Sequence, residues 1–366
     1  MPKTLPLHFP PPALLLRPLA WALAAAALLS GCQHAPSTHT RPALSAQPAR
    51  IDAGQSARLS WDAPVGSSLR LSGLTATPPG AVLVHPAQTT TYTISGPAPN
   101  GDPISASTTV EVRPAAQPLA SLRIEGHPLG SPIAEGFLGL AQDAGPADAR
   151  ARQLLRNLEN YGGGLPGNGA PATGECPGAD QLAHAEPPRN ALRCTAAADA
   201  AHGAASALWT AEMLLDYAQW GAAGVNLRGP LQGPQGVQPG YYGMLFFAQF
   251  AGAQGRWLAT QLETSVRLRV WAVRDERNQS VRVAVIHRDP GQSGTVNVQL
   301  PAGMRQAVVT RLTTTAPLRL AGQTFDGSRD GRPIGTAYGE ILQADEDGQL
   351  ALSLPASSGA LLTLTP

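Results

Sequence analysis

The chain has 366 residues, of which 14% are charged, and a formal net charge of +1. That length allows two or three domains. The near-neutral balance, with no basic stripe and no acidic run, excludes an electrostatic nucleic-acid binder and a solvating acidic tail. Glycine (39) and proline (35) are abundant, which points to a turn-rich, strand-rich protein.

The first element reads as an export signal, residues 1–32. Lys3 and Arg17 carry its only side-chain charges. The apolar core in "PLAWALAAAALLSGC" is about a dozen residues long, short for a membrane span. It ends in Leu29-Ser30-Gly31-Cys32, which resembles the lipobox of bacterial lipoproteins. In that motif small residues admit the peptidase and the thiol takes the lipid. The resemblance implies acylation of Cys32, which anchors stably when several chains are attached. Gln33, rather than Asp, points to the outer membrane. The alternative is an ordinary signal peptide that holds a cysteine. With Cys32 acylated, Cys176 and Cys194 are an even pair in an oxidising compartment. A disulfide between them closes a loop of about 18 residues. Two free thiols are the other reading.

Residues 33–48 have no apolar period and read as a flexible tether, roughly 20 Å long on average. Residues 49–113 read as a small β-sandwich with alternating Ala57, Leu59 and Trp61. The order "GQSARLSW", "TTTYTISG", "TTVEV" resembles the immunoglobulin-like modules of secreted bacterial proteins, with Trp61 and Tyr92 in the core. After a linker, "SLRIEGHPLGSPIAEGFLGLAQD" (121–143) predicts a strand, a turn and a strand. "PADARARQLLRNLEN" (146–160) predicts a helix whose narrow apolar stripe is Leu154, Leu155 and Leu158.

Residues 161–200 hold many helix and strand breakers and little periodicity. "ASALWTAEMLLDYAQWGAAGVNLRG" (205–229) then reads as a helix, a glycine stop and a short strand. Its helix is apolar but for a stripe of Glu212, Asp216 and Gln219. "YYGMLFFAQFAG" (241–252) predicts a second apolar helix. From 257 to 366 the period becomes two. Val266, Leu268, Val270 and Ala272 fall on one side, and Arg267, Arg269 and Trp271 on the other. This region reads as a β-sandwich.

Three stretches together carry a family resemblance. "IAEGFLGLAQD" with "ARQLLRNL", the 205–252 helix–strand–helix, and the 266–366 strands are similar to bacterial β-glucuronidases of glycoside hydrolase family 79, whose clan includes heparanase. The resemblance implies a multidomain α+β chain. It would hold the immunoglobulin-like sandwich, a truncated (β/α) barrel remnant over 121–256 and a C-terminal β-sandwich over 257–366. The region near Leu122–Glu125 would add a strand to that last sandwich. A full barrel typically needs about 250 residues, whereas about 135 separate Leu122 from Trp257. The missing part lies between Tyr161 and Ala191.

Retaining hydrolysis needs two carboxylates about 5 Å apart. The Asn-Glu pair that carries the family's acid/base residue is absent here. Ala196 and Ala197 stand where its nucleophile should be, with Asp199 the only carboxylate nearby. Glu175 and Glu186, in the irregular segment, are the other weak catalytic candidates. Asn226 and Arg228 at a strand end, and Tyr241 and Tyr242 after the next loop, are placed to contact a sugar; packing is the alternative. "GGGLPG" (162–167) follows a helix and opens none, so it fails as a phosphate cradle. Histidine and cysteine spacing suggests no metal site, and no cofactor is expected. The expectation is an envelope lipoprotein, membrane-bound through its lipid, catalytically inactive, and holding a uronic-acid-containing glycan or an envelope protein. An active retaining β-glucuronidase and a purely structural or adhesive lipoprotein are the alternatives.

Overall fold

The computed structural model describes residues 42–141, 148–160, 174–177, 193–197, 203–229, 231–233, 236–252 and 255–366. The expected signal, Cys32 and most of the tether lie outside them.

The first eight strands are β1 (Ala43–Gln47), β2 (Arg50–Asp52), β3 (Ala57–Asp62), β4 (Leu69–Leu71), β5 (Leu74–Ala76), β6 (Gly80–Val84), β7 (Thr90–Pro97) and β8 (Pro103–Arg113). They form one sheet ordered β1-β3-β6 and another ordered β2-β8-β7-β4-β5. Period-two alternation sends Leu59, Trp61, Leu71, Val82, Tyr92, Ile94 and Val110 into one shared core. Buried Trp61 keeps its indole N–H satisfied by donating to the Thr77 carbonyl at 3.1 Å. β1 corrects the expected tether: Ala43–Gln47 pairs antiparallel with β3, and Leu44 and Ala46 pack against the core. Its five residues are small or polar on the outer face, so composition alone reads as linker.

β9 (Ala120–Pro132) leaves this sandwich for a larger sheet. The chain continues through β10 (Leu138–Leu140), α1 (Ala149–Asn160), β11 (Arg193–Ala197), α2 (Ala205–Trp220), β12 (Gly224–Arg228), β13 (Gln232–Gly233), β14 (Gly236–Val237) and α3 (Pro239–Ala251). Asp148 caps α1 by accepting the Ala151 N–H at 2.6 Å. Gly221 ends α2 at φ +94°, a left-handed stop that favours glycine. Pro239 opens α3, where its missing N–H and fixed φ fit a first helical turn.

The remaining strands are β15 (Gly255–Thr264), β16 (Leu268–Asp275), β17 (Val281–His287), β18 (Gly294–Gln299), β19 (Gln306–Thr313), β20 (Arg319–Leu320), β21 (Glu340–Gln343), β22 (Gln349–Leu354) and β23 (Ser358–Leu364). They join β9 in a ten-stranded sheet ordered β20-β19-β23-β17-β16-β15-β9-β18-β22, with β21 on β19. β9 runs antiparallel to β15 and parallel to β18, so the segment near Leu122–Glu125 does add a strand to the C-terminal sheet.

This sheet is buried on both faces. Leu268, Ala272, Val283, Val285 and Leu362 enter one core, with Leu122 and Ile124 of β9. Trp271, Val273, Ala284, Ile286 and Leu361 enter another, together with α2 and α3. Burial on all sides explains why the two helices are apolar nearly all round. They cross closely at Gly243, where an added Cβ would lie 2.4 Å from the Ala207 carbonyl oxygen. The polar stripe of α2 is engaged too: Arg269 pairs with Glu212 and Asp216, and Arg288 with Glu212.

Candidate functional site

Three parallel strands, ordered β10-β12-β11, carry the candidate residues. β11 is a regular strand within the breaker-rich 161–200 run, of which residues 174–177 and 193–197 are described. Its residues are mostly small, and the parallel partners that stabilise it lie far along the chain. The Gly174–Cys176 backbone extends this sheet. Glu175 bridges in parallel to Thr195, Thr195 donates to the Gly174 carbonyl at 2.9 Å, and Cys176 donates to the Thr195 carbonyl at 2.8 Å. Gly139, Asn226, Thr195 and Glu175 therefore form one row across four segments.

Side chains alternate along each strand. Val225, Leu227, Cys194, Ala196 and Leu138 face the helices and their core. Cys176 packs there as well, and its disulfide with Cys194 is formed. The opposite face carries Arg193, Thr195, Gly224, Asn226, Arg228 and Glu175. Arg193 donates from Nη1 to Asn226 Oδ1 at 3.0 Å and from Nη2 to the Gly136 carbonyl at 2.5 Å. Two glycines make room for this pair. A Cβ on Gly224 would sit 2.5 Å from Arg193 Cζ, and one on Gly139 would sit 2.1 Å from Asn226 Oδ1. Burial pulls the Arg193 guanidinium below its ordinary pKa. Sequence reasoning missed Arg193. Only its position opposite two glycines on neighbouring strands marks it, and that requires the register.

The sequence candidates divide. Asn226 is buried and held by Arg193. Arg228, at the strand end, donates from Nη2 to Glu175 Oε1 at 2.5 Å, and both side chains are largely exposed. Tyr241 and Tyr242 are each 1% exposed. The Tyr241 hydroxyl donates to the Leu154 carbonyl at 2.8 Å and accepts from Asn157 Nδ2 at 3.3 Å. The Tyr242 hydroxyl accepts the Phe325 N–H at 2.7 Å and meets Thr324 Oγ1 at 3.2 Å. Both rings pack edge-on against Phe325. Neither ring offers a face to solvent here. Tyr241 ties α3 to α1, and both rings tie it to the loop near Phe325. Glu186 and Asp199 lie outside the described residues.

Chemically, among the described residues this strand face offers one carboxylate, Glu175, which is ion-paired with Arg228. Its other polar members are the neutral Thr195 and Asn226, plus Arg193. Among the described residues no group of three or more His, Cys, Asp or Glu is placed to hold a metal ion.

No protein-family model matches the chain, and no curated protein does. Among solved structures, it is similar to an arabinofuranosidase of glycoside hydrolase family 51 from Xanthomonas axonopodis pv. citri. That match has 17% identity and a TM-score of 0.35, over 45% of this chain and 36% of the other. It is similar to a 4-O-α-L-rhamnosyl-β-D-glucuronidase from Fusarium oxysporum, with 19% identity and a TM-score of 0.38, over 47% and 42% of the two chains. It is also similar to a bifunctional glucanase-xylanase from a metagenome library, with 14% identity and a TM-score of 0.37, over 62% and 42%. The chain spans less than half the length of each of these enzymes.

Proposed function

We propose that this chain is an exported bacterial lipoprotein, acylated at Cys32, whose 121–256 region is a reduced glycoside hydrolase barrel of family 79 type that no longer cleaves glycosides. Residues 49–113 are its immunoglobulin-like spacer, and 257–366 its C-terminal sandwich. Strand order supports the barrel reading. In a closed (β/α) barrel the last strand lies between the first and the one before the last. Here β12, last of the parallel strands, lies between β10 and β11. The Glu175 segment adds a further parallel neighbour beyond β11.

The observation that carries the loss of catalysis is the Arg228–Glu175 pair. A retaining site needs two carboxylates of different protonation facing one sugar. Among the described residues this face presents a single carboxylate, paired with a cation, and beside it Arg193 bonds to Asn226. A scaffold role, holding a glycan or another envelope protein, suits a face whose other polar groups bond to one another.

The test is a long incubation of the full chain with chromogenic β-glucuronides and related glycosides, beside Glu175→Gln. No release by either protein is expected. Release by the parent that disappears in the variant would overturn the proposal.

A further inference from the structure

A cavity of about 400 Å³ lies between the N-terminal sandwich and the C-terminal sheet. One wall comes from Arg58 of β3, Ala81–Leu83 of β6 and His85. The other comes from Arg311 and Thr313 of β19, the 315–322 loop with Arg319, and Thr336 and Tyr338. Its size falls in the lower part of the range of ligand sites, roughly 300–1,000 Å³.

Behind the lining sits a buried charge relay. Glu340 accepts from Arg311 Nη2 at 2.9 Å, and His85 contacts the other carboxylate oxygen through Nδ1 at 2.9 Å. Arg311 also donates from Nη1 to the Ser353 carbonyl at 2.5 Å. Two groups on the cavity wall are left over. Arg311 Nε and Thr313 Oγ1 are buried without a hydrogen-bond partner, on residues 6% and 9% exposed. Most buried polar side-chain groups in native proteins find a partner, and these two belong to residues that line the cavity. Charge points the same way. Glu340 offsets Arg311, while among the described residues neither Arg58 nor Arg319 is in an ion pair. The cavity therefore faces an excess of positive charge. The hydroxyl-bearing residues Thr313, Thr315, Thr336 and Tyr338 are also among its lining residues.

We propose that this cavity binds a small polyhydroxylated carboxylate of monosaccharide size, a sugar acid, with its carboxylate toward the arginines and its hydroxyls toward the threonines and Tyr338. The ligand would join the two sandwiches, so it would also stabilise them against separation. The inference does not rest on the scaffold reading of the parallel strands.

The test is calorimetric titration of the full chain with D-galacturonate, D-gluconate, D-glucose, acetate and inorganic phosphate. Saturable one-site binding is expected for at least one of the two sugar acids. Glucose, acetate and phosphate should each bind at least about tenfold more weakly, as the loss of a charged or a hydroxyl contact predicts. Thr313→Val preserves volume and removes a buried unpartnered hydroxyl. It should weaken binding by about tenfold while leaving the melting temperature of the unliganded protein unchanged or higher. Arg319→Gln should weaken binding comparably. Absence of saturable binding by both sugar acids would overturn the proposal. So would phosphate, acetate or glucose binding as tightly as the sugar acids, or parental affinity in both Thr313→Val and Arg319→Gln.

Discussion

Arg228 and Glu175, 53 residues apart in the chain, meet through a 2.5 Å hydrogen bond at the edge of the parallel sheet. The contact joins β12 to the segment that follows β11 in the sheet, and it occupies the one carboxylate of that face among the described residues. Both side chains are exposed to water, at 48% and 66%. Exposed pairs contribute little to stability, so Glu175→Gln should lower the unfolding free energy by less than about 1 kcal/mol in a urea titration. A larger loss would mean that the pair organises the strand ends rather than decorating them.

Arg269 has a heavier role. It grips Asp216 through two hydrogen bonds of 2.6 Å, reaches Glu212 at 3.0 Å, and lies over the Trp271 ring with its Cζ 4.7 Å from the centroid. It fastens α2 to β16. Burial pushes the Asp216 carboxyl up, and Arg269 pulls it back. Arg269→Met would leave two poorly solvated carboxylates with less compensation. It should cost about 1–3 kcal/mol, the range for losing charged hydrogen bonds at a partly exposed site. Adding Asp216→Asn to that variant should restore part of the loss, as read by urea midpoints across the double-mutant cycle.

The Cys176–Cys194 disulfide, with a sequence separation of 18, ties the Glu175 segment to β11. Replacing both cysteines by serine should destabilise the folded chain by about 3 kcal/mol in the chain-entropy account. Thermal unfolding with and without reductant should show the parent falling to the level of the variant, and the variant unmoved.

Glu340 sets an acid limit. Burial alone would raise its carboxyl, but Arg311 and His85 overcome that and hold it down to about 2, against an ordinary 4.5. An acid whose folded pKa is depressed stabilises fully above its unfolded value and loses that contribution as pH falls toward the folded one. Stability should therefore decline between about pH 4.5 and pH 2. Denaturant midpoints measured across that window should fall for the parent, and more shallowly for Glu340→Gln.

Much of this architecture was legible from local pattern, because local physics dictates it. Period-two alternation around Leu268 and Ala272 marked a strand. Gly221 and Pro239 punctuated the two helices, and cysteine arithmetic named the disulfide pair. Other features depend on partners distant in sequence. β1 reads as a linker until β3 lies beside it. β11 is too short and too small in its residues to announce a strand. Tyr241 and Tyr242 follow a loop at a plausible sugar-binding position, yet α3 turns both rings inward, toward Phe325. Arg193 acquires its role only from the glycines opposite it. The relay between His85 and Glu340 joins residues 255 positions apart, so no motif foreshadows it.

The proposed function denies glycoside cleavage to this strand face. Covalent trapping tests it most directly, because a retaining enzyme must form a glycosyl–enzyme bond on a carboxylate. The full chain would be incubated with the 2-deoxy-2-fluoro glycosyl fluoride of a uronic acid, then examined by intact mass spectrometry and peptide mapping. An unchanged mass is expected. A stoichiometric adduct on Glu175, Glu186 or Asp199 would contradict it and identify the nucleophile.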